Sequence, residues 1–369
     1  EVIKMIGKRQ KACLMGVAIT GVYLKRVDWG CPYLSLSKCR YVENPLIDNG
    51  RIISADYLET TITDIDLKIL LSEYSWKDIK FFDFATARYG YLPKPLIQTI
   101  CQYYHYKTEL KNVEGQELLY MKSKNKLNSL YGMCAQDPVK QSILFIEEDF
   151  KEQNDNEEEL LKAYNKKAFL AYQWGVWVTA WARYRLEEGI QLAHGDIDDP
   201  NAPQFVYCDT DSVKYLGEIN LDKFNAERIK DSKESGAYAT DPSGITHYMG
   251  VYEKEHDMCE FRTMGAKKYV YREKPEDKLV CTIAGVSKNL GGKELEAHGG
   301  ITAFHEGFTF EKAGGLEAVY NDKPCISEYT AEGRTGKITS NVCLRPSTYT
   351  LGLTADYERL LTESRYEYE

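Results

Sequence analysis

The hydrophobic pattern along the chain changes period several times. Positions 12–24 form an uncharged, largely apolar run that reads as a buried strand pair turning near Gly21. Strand-like segments continue to about residue 66. Tyr33-Leu34-Ser35-Leu36 alternates, Asn44-Pro45 and Asp48-Asn49-Gly50 mark turns, and 57–65 is rich in Thr and Ile. Asp64-Ile65-Asp66-Leu67 predicts a helix start, with acids in the first turn and an apolar stripe through Leu67, Leu70 and Leu71. From Pro93 the period is helical: Leu96, Ile97, Ile100, Tyr103 and Tyr104 share a face. A second helix is expected over 116–131, turning at 112–115 to make a helical hairpin. Trp174, Trp177, Val178 and Trp181 predict an apolar helix ending near residue 192, and 195–203 reads as a loop. A strand, a tight turn and a strand follow over 205–216, and 218–256 is polar and mixed. Beyond Met264 the pattern is again strand-like. Turns are expected at Lys274-Pro275-Glu276-Asp277, Gly291-Gly292, Gly299-Gly300 and Gly314-Gly315, so about the last seventy residues read as β-hairpins.

Composition adds bounds to this picture. At 369 residues, 43% apolar and 28% charged, the chain is an ordinary folded protein with room for two or three domains. The ten cysteines form no C-x-x-C pair, which argues for a reducing compartment and against a disulfide framework or zinc ribbon. Net charge is −9, yet 147–159 alone contributes −7 and is expected to be a solvated loop or frayed helix. The nearly neutral remainder can carry a basic groove, so charge excludes no nucleic-acid role. Lys4, Lys8, Arg9 and Lys11 ahead of 12–24 mimic a signal peptide, but Lys25-Arg26 stand where a small-residue cleavage site belongs. That run is also too short to span a bilayer, so no targeting or membrane segment is expected.

Two stretches carry candidate chemistry. Tyr207-Cys208-Asp209-Thr210-Asp211-Ser212 sits between apolar runs, and aspartates at i and i+2 of an extended backbone project to one side. Hard carboxylate oxygens at a hairpin tip suit Mg²⁺, although a bare D-x-D is more often a solvated turn. Lys124-Asn125-Lys126-Leu127-Asn128-Ser129-Leu130-Tyr131-Gly132 has the form K-x-x-x-N-S-x-Y-G. On a helix Lys124, Asn128 and Tyr131 fall on one face: an ammonium for triphosphate oxygens, an amide for hydrogen bonds, a ring to pack beside them. The blander alternative is an exposed helix ending at Gly132 as its C-cap. Around this stretch Lys107, Lys111, Lys122, Lys124 and Lys126 face Glu109, Glu114 and Glu117, a balance of +2.

In this order the two motifs resemble the fingers and palm signatures of family B DNA polymerases. Thr179-Ala180-Trp181-Ala182-Arg183 is similar to the T-A-W-A-R helix of the protein-primed branch, found in small linear-genome phages and linear plasmids. Thr63-Asp64-Ile65-Asp66-Leu67 resembles that branch's segment before the fingers, and Lys267-Lys268-Tyr269 its K-x-Y motif. Ile283-Ala284-Gly285-Val286 and Phe304-His305-Glu306-Gly307-Phe308 are similar to its thumb region. The resemblance implies an α+β right-hand fold with an antiparallel palm sheet, helical-hairpin fingers and a β-rich thumb. It implies a palm remainder and insertion over 1–88, fingers over 89–135, an acidic insertion over 136–170, palm over 171–290 and thumb over 291–369. It assigns Asp211 as principal and Asp209 as supporting ligand of two Mg²⁺ ions, with Mn²⁺ as a possible substitute. Lys124, Asn128 and Tyr131 would bind dNTP, and Lys267, Tyr269, Ser129 and Gly132 the primer–template DNA.

The chain also departs from the family. The motif D-x-x-S-L-Y-P, which carries the first catalytic aspartate, is expected ahead of residue 1, as is the exonuclease domain. The acidic tract stands where relatives carry a hairpin associated with processivity and strand displacement. The expected activity is template-directed DNA synthesis in the host cytoplasm, with an N-terminal polymerase fragment and a terminal priming protein as further partners. The alternative is a non-catalytic nucleic-acid-binding subunit or relic, which the absent first aspartate favours.

Overall fold

The computed structural model describes residues 11–26, 31–137, 139, 142–146, 149–153, 156–195, 199, 201–331 and 334–353. Two compact units divide it: Glu1–Pro45 with Ile53–Glu253, and Leu46–Ile52 with Lys254–Glu369. Among the described residues no helix is long and apolar enough to cross a membrane.

The first unit is built on an antiparallel sheet. Strand β1 (Ala12–Leu24) pairs along β4 (Arg51–Thr63), and β4 pairs with β2 (Cys39–Glu43), while β3 (Leu46–Asp48) belongs to the second unit. On its other side β1 meets β5 (Tyr74–Ser75) and β6 (Asp78–Ala87). The expected turn at Gly21 does not form. Gly21 takes φ +59° within one continuous strand, because pairing with β4 carries the ladder through Thr20, Val22 and Tyr23. Cys13, Met15, Val17 and Ile19 are fully buried, which suits a strand paired on both edges. At Gly16 a Cβ would lie 2.5 Å from the Phe82 ring, and the β6 register shifts there.

Helix α1 (Asp64–Glu73) starts where β4 ends. The Thr63 hydroxyl accepts from the Asp66 amide at 3.1 Å, and the Asp66 carboxylate accepts from the Thr63 amide at 3.0 Å, closing a capping box. Ile65, Leu67, Ile69 and Leu70 are then buried, each contributing about 1.5–3 kcal/mol. Helices α2 (Lys94–Glu109) and α3 (Glu117–Cys134) form the expected hairpin, with Asn112 and Gly115 at positive φ in the turn. Lys126 Nζ donates to Tyr103 Oη at 3.0 Å between them. Helix α3 continues past Gly132 to Cys134, so Gly132 is an interior residue and not the C-cap.

The acidic tract is neither a loop nor a frayed helix over its described residues. β7 (Ser142–Ile146) pairs with β8 (Asp149–Gln153), and α4 (Glu157–Lys167) follows. The Asn156 side chain caps α4, and Glu157, Glu158 and Glu159 occupy its first turn, where acids complement the helix dipole. The described residues of this stretch therefore make a hairpin followed by a capped helix.

Helix α5 (Tyr172–Leu192) lies along α1. Arg183 donates to Asp66 Oδ1 from Nη2 at 2.7 Å and Nε at 3.1 Å, and Tyr33 Oη donates to the same oxygen. Nearly two turns earlier on α5, Trp177 Nε1 donates to Asp64 Oδ1 at 3.0 Å, joined by the Cys13 amide at 3.2 Å. Tyr89 Oη reaches the other Asp64 oxygen. Burial pushes the Asp66 carboxyl up, but the Arg183 charge and the bonds from Tyr33 and Thr63 outweigh it and hold the group below its ordinary value. Strands β9 (Gln204–Asp209) and β10 (Ser212–Leu216), helix α6 (Asp222–Ser235) and the short pair β11 (Tyr238–Thr240) and β12 (Thr246–Tyr248) complete the unit.

In the second unit β13 (Glu260–Thr263), β14 (Lys268–Arg272) and β15 (Val280–Ile283) form an antiparallel sheet, with α7 (Lys288–Ala297) next in the chain. The expected turn at Gly291-Gly292 is instead the middle of α7. A Cβ at Gly291 would sit 2.8 Å from Val286, and one at Gly292 2.2 Å from the Leu279 carbonyl, so the glycines serve close packing. Val270, Cys281, Leu295, Phe304, Phe310 and Leu351 make the core. Short β16 (Thr309–Phe310) pairs with β19 (Tyr349–Thr350), and between them β17 (Leu316–Ala331) and β18 (Arg334–Pro346) pair as a long two-stranded ribbon.

The Arg183–Asp66 pair generates a stability prediction. Arg183→Met strands a buried carboxylate and should cost about 2–4 kcal/mol at neutral pH, discounted for the partial exposure of the arginine. Because the folded Asp66 pKa is depressed, the stabilisation is present above the ordinary carboxylate pKa and is lost as pH falls. Urea melts should therefore show the gap between wild type and variant narrowing at about pH 3. A constant gap would mean that the loss is one of packing alone.

Candidate active site

The β9–β10 hairpin holds the two aspartates in a tight turn. Asp209 closes β9 and pairs with Ser212 at the start of β10. Between them Thr210 takes φ +54°, the left-handed region that a β-branched residue rarely adopts. The Asp209 carbonyl accepts from the Asp211 amide at 2.6 Å and from Ser212 Oγ at 3.1 Å. Thr210 Oγ1 donates to Asp209 Oδ1 at 2.9 Å. The expected extended backbone through Asp209-Thr210-Asp211 is thus replaced by a left-handed corner, the conformation that two-residue hairpin loops demand. Asp209 is half-buried and Asp211 exposed.

Around Asp211 lie groups from other elements. Tyr252 is anchored through Asn225, whose Oδ1 accepts from its amide at 3.0 Å and whose Nδ2 donates to its carbonyl at 2.9 Å. Its hydroxyl donates to the Arg185 carbonyl at 3.1 Å, in space that a Cβ on Gly189 would fill. Burial, with the nearby charges of Asp211 and Cys208, pushes the Tyr252 phenol up to about 12. Lys107, in the last turn of α2, also feels Asp211. Burial, then the charges of Lys124 and Lys111, lower its pKa against the opposing pull of Asp211 and Glu253. The turn end of the helical hairpin is thus close enough to the aspartate turn for Lys107 to feel the charge of Asp211.

The K-x-x-x-N-S-x-Y-G residues all lie on α3. Lys124 is half-buried, its ammonium 5.9 Å from the centre of the Tyr120 ring. Asn128, Ser129, Tyr131 and Gly132 are exposed, and Ser129 Oγ donates back to the Lys126 carbonyl at 3.3 Å. A Cβ on Gly132 would meet nothing within 4 Å.

Lys267 and Tyr269 lie in the second unit. Lys267 takes φ +55° in the turn between β13 and β14, two residues after Gly265 at φ +103°. Tyr269 stacks between Phe261, at 5.7 Å between ring centres, and Tyr271, at 6.4 Å. The intervening Lys268 is committed to structure, donating to the Gly352 carbonyl at 2.6 Å.

Sequence reasoning missed Lys107, counted only as one basic residue among five, and Tyr252, which nothing marked. It also missed a buried carboxyl pair behind the hairpin. Gln191 Nε2 donates to Glu73 at 2.6 Å and to Glu187 at 2.9 Å, which gathers the two buried carboxyls at one amide. Burial above all pushes the Glu187 carboxyl up to about 8, with Glu73 and Cys208 adding to the rise.

Asp209 and Asp211 offer hard oxygen donors of the kind that hold Mg²⁺ together with substrate phosphates, so the donor chemistry fits that ion. Among the described residues no third His, Cys, Asp or Glu joins them in a cation-binding cluster.

No protein-family model and no curated protein matches this sequence. Solved structures share its fold. One is Phi29 DNA polymerase complexed with primer-template DNA and incoming nucleotide substrates, at a TM-score of 0.57 and 19% identity, over 92% of this chain and 51% of that one. The same enzyme in a post-translocation binary complex with primer-template DNA gives 0.55 at 18% identity, over 92% and 50%. Its complex with single-stranded DNA gives 0.54 at 17%, over 92% and 50%. The chain thus spans about half the length of the structures it matches. The expected resemblance is seen at the level of the fold, which mixes helices with antiparallel sheet.

The carboxyl pair makes a pH prediction. An unfolded glutamate ionises near 4.3, so between there and about 8 the folded chain keeps a proton that the unfolded chain has lost. Stability should fall as pH rises across this window. Thermal melts at about pH 5 and pH 8 should differ by at least about 3 °C in the wild type, and by clearly less in Glu187→Gln. Parallel slopes would remove Glu187 as the cause.

Proposed function

We propose that this chain is the polymerising half of a protein-primed family B DNA polymerase, extending a primer 3′-hydroxyl or a priming-protein hydroxyl from dNTPs. The observation that carries this reading is the tight turn that sets Asp209 and Asp211 at the tip of the β9–β10 hairpin, in a fold like that of a DNA polymerase. In this reading 89–135 are fingers, 171–290 palm and 291–369 thumb. Asp211 is the principal and Asp209 the supporting carboxylate for Mg²⁺, or Mn²⁺ in its place. When bound, such ions supply charge neutralisation and Lewis acidity for in-line phosphoryl transfer. Lys124 and Lys107 hold triphosphate oxygens, with Asn128 and Tyr131 shaping the nucleotide pocket. Ser129 and Gly132 face DNA, and in the second unit Lys267 and Tyr269 hold the primer strand.

Gly132 supports an external partner. Glycine inside a helix costs about 1 kcal/mol relative to alanine, and among the described residues nothing crowds this one. A ligand backbone passing close by supplies the reason that the protein itself does not. An N-terminal fragment carrying D-x-x-S-L-Y-P and a terminal protein are the further partners proposed. The non-catalytic reading draws on the two-carboxylate count among the described residues.

Primer extension separates the two readings. With the N-terminal fragment supplied in trans, the chain should incorporate dNTPs, and Asp211→Asn should abolish this while duplex binding stays nearly intact. Incorporation that survives above a few per cent rejects the assignment of Asp211. A wild-type chain that binds duplex yet never incorporates favours the non-catalytic reading.

The lysines make a separate prediction. Lys124→Ala and Lys107→Ala should each raise the apparent KM for dNTP about 10-fold, with little change in template affinity. Collapse of DNA binding at constant dNTP dependence would place both lysines on the template track instead.

A further inference from the structure

Among the described cysteines, Cys31 and Cys208 bring their sulfurs to 4.0 Å although 177 positions separate them in sequence. Both are half-buried, so small oxidants can reach a pair that is held in place by the fold. Their positions are unequal in consequence. Cys208 immediately precedes Asp209 in β9. Cys31 leads into Tyr33, whose hydroxyl is fastened to Asp66 and Arg183 and whose amide donates to Tyr74 Oη at 2.9 Å. One thiol thus rides on the aspartate hairpin and the other beside the most constrained polar cluster of the unit. A disulfide needs about 2.05 Å between sulfurs, which asks for an approach of about 2 Å, within reach of side-chain rotation and a small strand shift.

We propose that Cys31 and Cys208 form a peroxide-oxidisable dithiol that reversibly tethers the aspartate hairpin. One thiolate attacks a hydroperoxide oxygen, becoming a sulfenic acid as the O–O bond breaks and hydroxide or alkoxide leaves. The second thiol attacks that sulfur, forms the S–S bond and releases water. Two thiols are oxidised, one peroxide is reduced, and thiol exchange with dithiothreitol returns the starting state. Tethering draws Cys208, and with it Asp209, out of position. The effect on catalysis rests on the polymerase reading; the tether itself does not.

The test uses the full chain treated with hydrogen peroxide, alkylated and digested without reduction. A Cys31–Cys208 cross-linked peptide should appear and vanish with dithiothreitol, and Cys31→Ser should instead leave Cys208 as a sulfenic acid that dimedone traps. Amide hydrogen exchange over 204–216 should slow on oxidation in the wild type and stay unchanged in Cys31→Ser. No cross-linked peptide under conditions that oxidise the exposed Cys259 overturns the proposal, as does a cross-link that leaves exchange over 204–216 unaltered. Where the reduced, complemented chain incorporates dNTPs, oxidation should lower the rate at least 10-fold, and Cys31→Ser should resist. A reduced chain that incorporates nothing counts against the polymerase reading alone, since the peptide and exchange measurements still decide the tether.

Discussion

Two buried carboxylates at the start of α1 set the constraint from which the first unit is built. Asp64 and Asp66 are nearly inaccessible, and a carboxylate can stay buried only when its oxygens are answered. The answers come from far apart in sequence: Trp177 and Arg183 from α5, Tyr33 from the segment after β1, the Cys13 amide from β1 itself, and Tyr89 from beyond β6. Each donor pins its own element. The central strand, the long helix and the first turn of α1 are thereby fixed to one another by directional bonds as well as by apolar packing. Apolar contact alone tolerates sliding; a carboxylate with several named donors does not.

That rigidity carries through α5 to the candidate site. Arg183 and Trp177 fix one stretch of the helix, and further along it Arg185 and Gly189 receive Tyr252, which sits close enough to Asp211 to feel its charge. On the same helix Glu187 and Gln191 close the carboxyl pair with Glu73 at the end of α1. The hairpin bearing the aspartates therefore rests against a helix whose register is set elsewhere. A two-stranded hairpin has little stability of its own, so this support is what gives its tip a defined place.

Much of this was legible in the sequence where local chemistry decides the outcome. The tight turn between β9 and β10, the start of α1 and the helical hairpin are all legible from turn residues, first-turn acids and periodicity. Two differences share a cause: the pattern predicts turns at Gly21, which lies in a strand, and at Gly291-Gly292, which lies in a helix, because glycine signals either a bend or a close approach and only tertiary contact distinguishes them. In the acidic tract charge alone suggests a solvated segment, whereas Asn156 is a cap for the glutamates that follow it. Lys107 and Tyr252 were invisible because their meaning lies in which charges the fold brings beside them.

The motif residues also stand out by what they cost. Thr210 holds a left-handed conformation at the tip of the hairpin, and Lys267 holds another in its turn, each of the kind that costs about 1–3 kcal/mol. Gly132 weakens a helix without relieving any contact, and Lys107 gives up solvation beside two other lysines. None of these choices is explained by the stability of the chain. Three of the four lie in the stretches singled out from sequence by their chemistry, and the fourth points at them. Where local conformation and solvation work against stability at candidate site residues, the cost is set against something outside the fold itself.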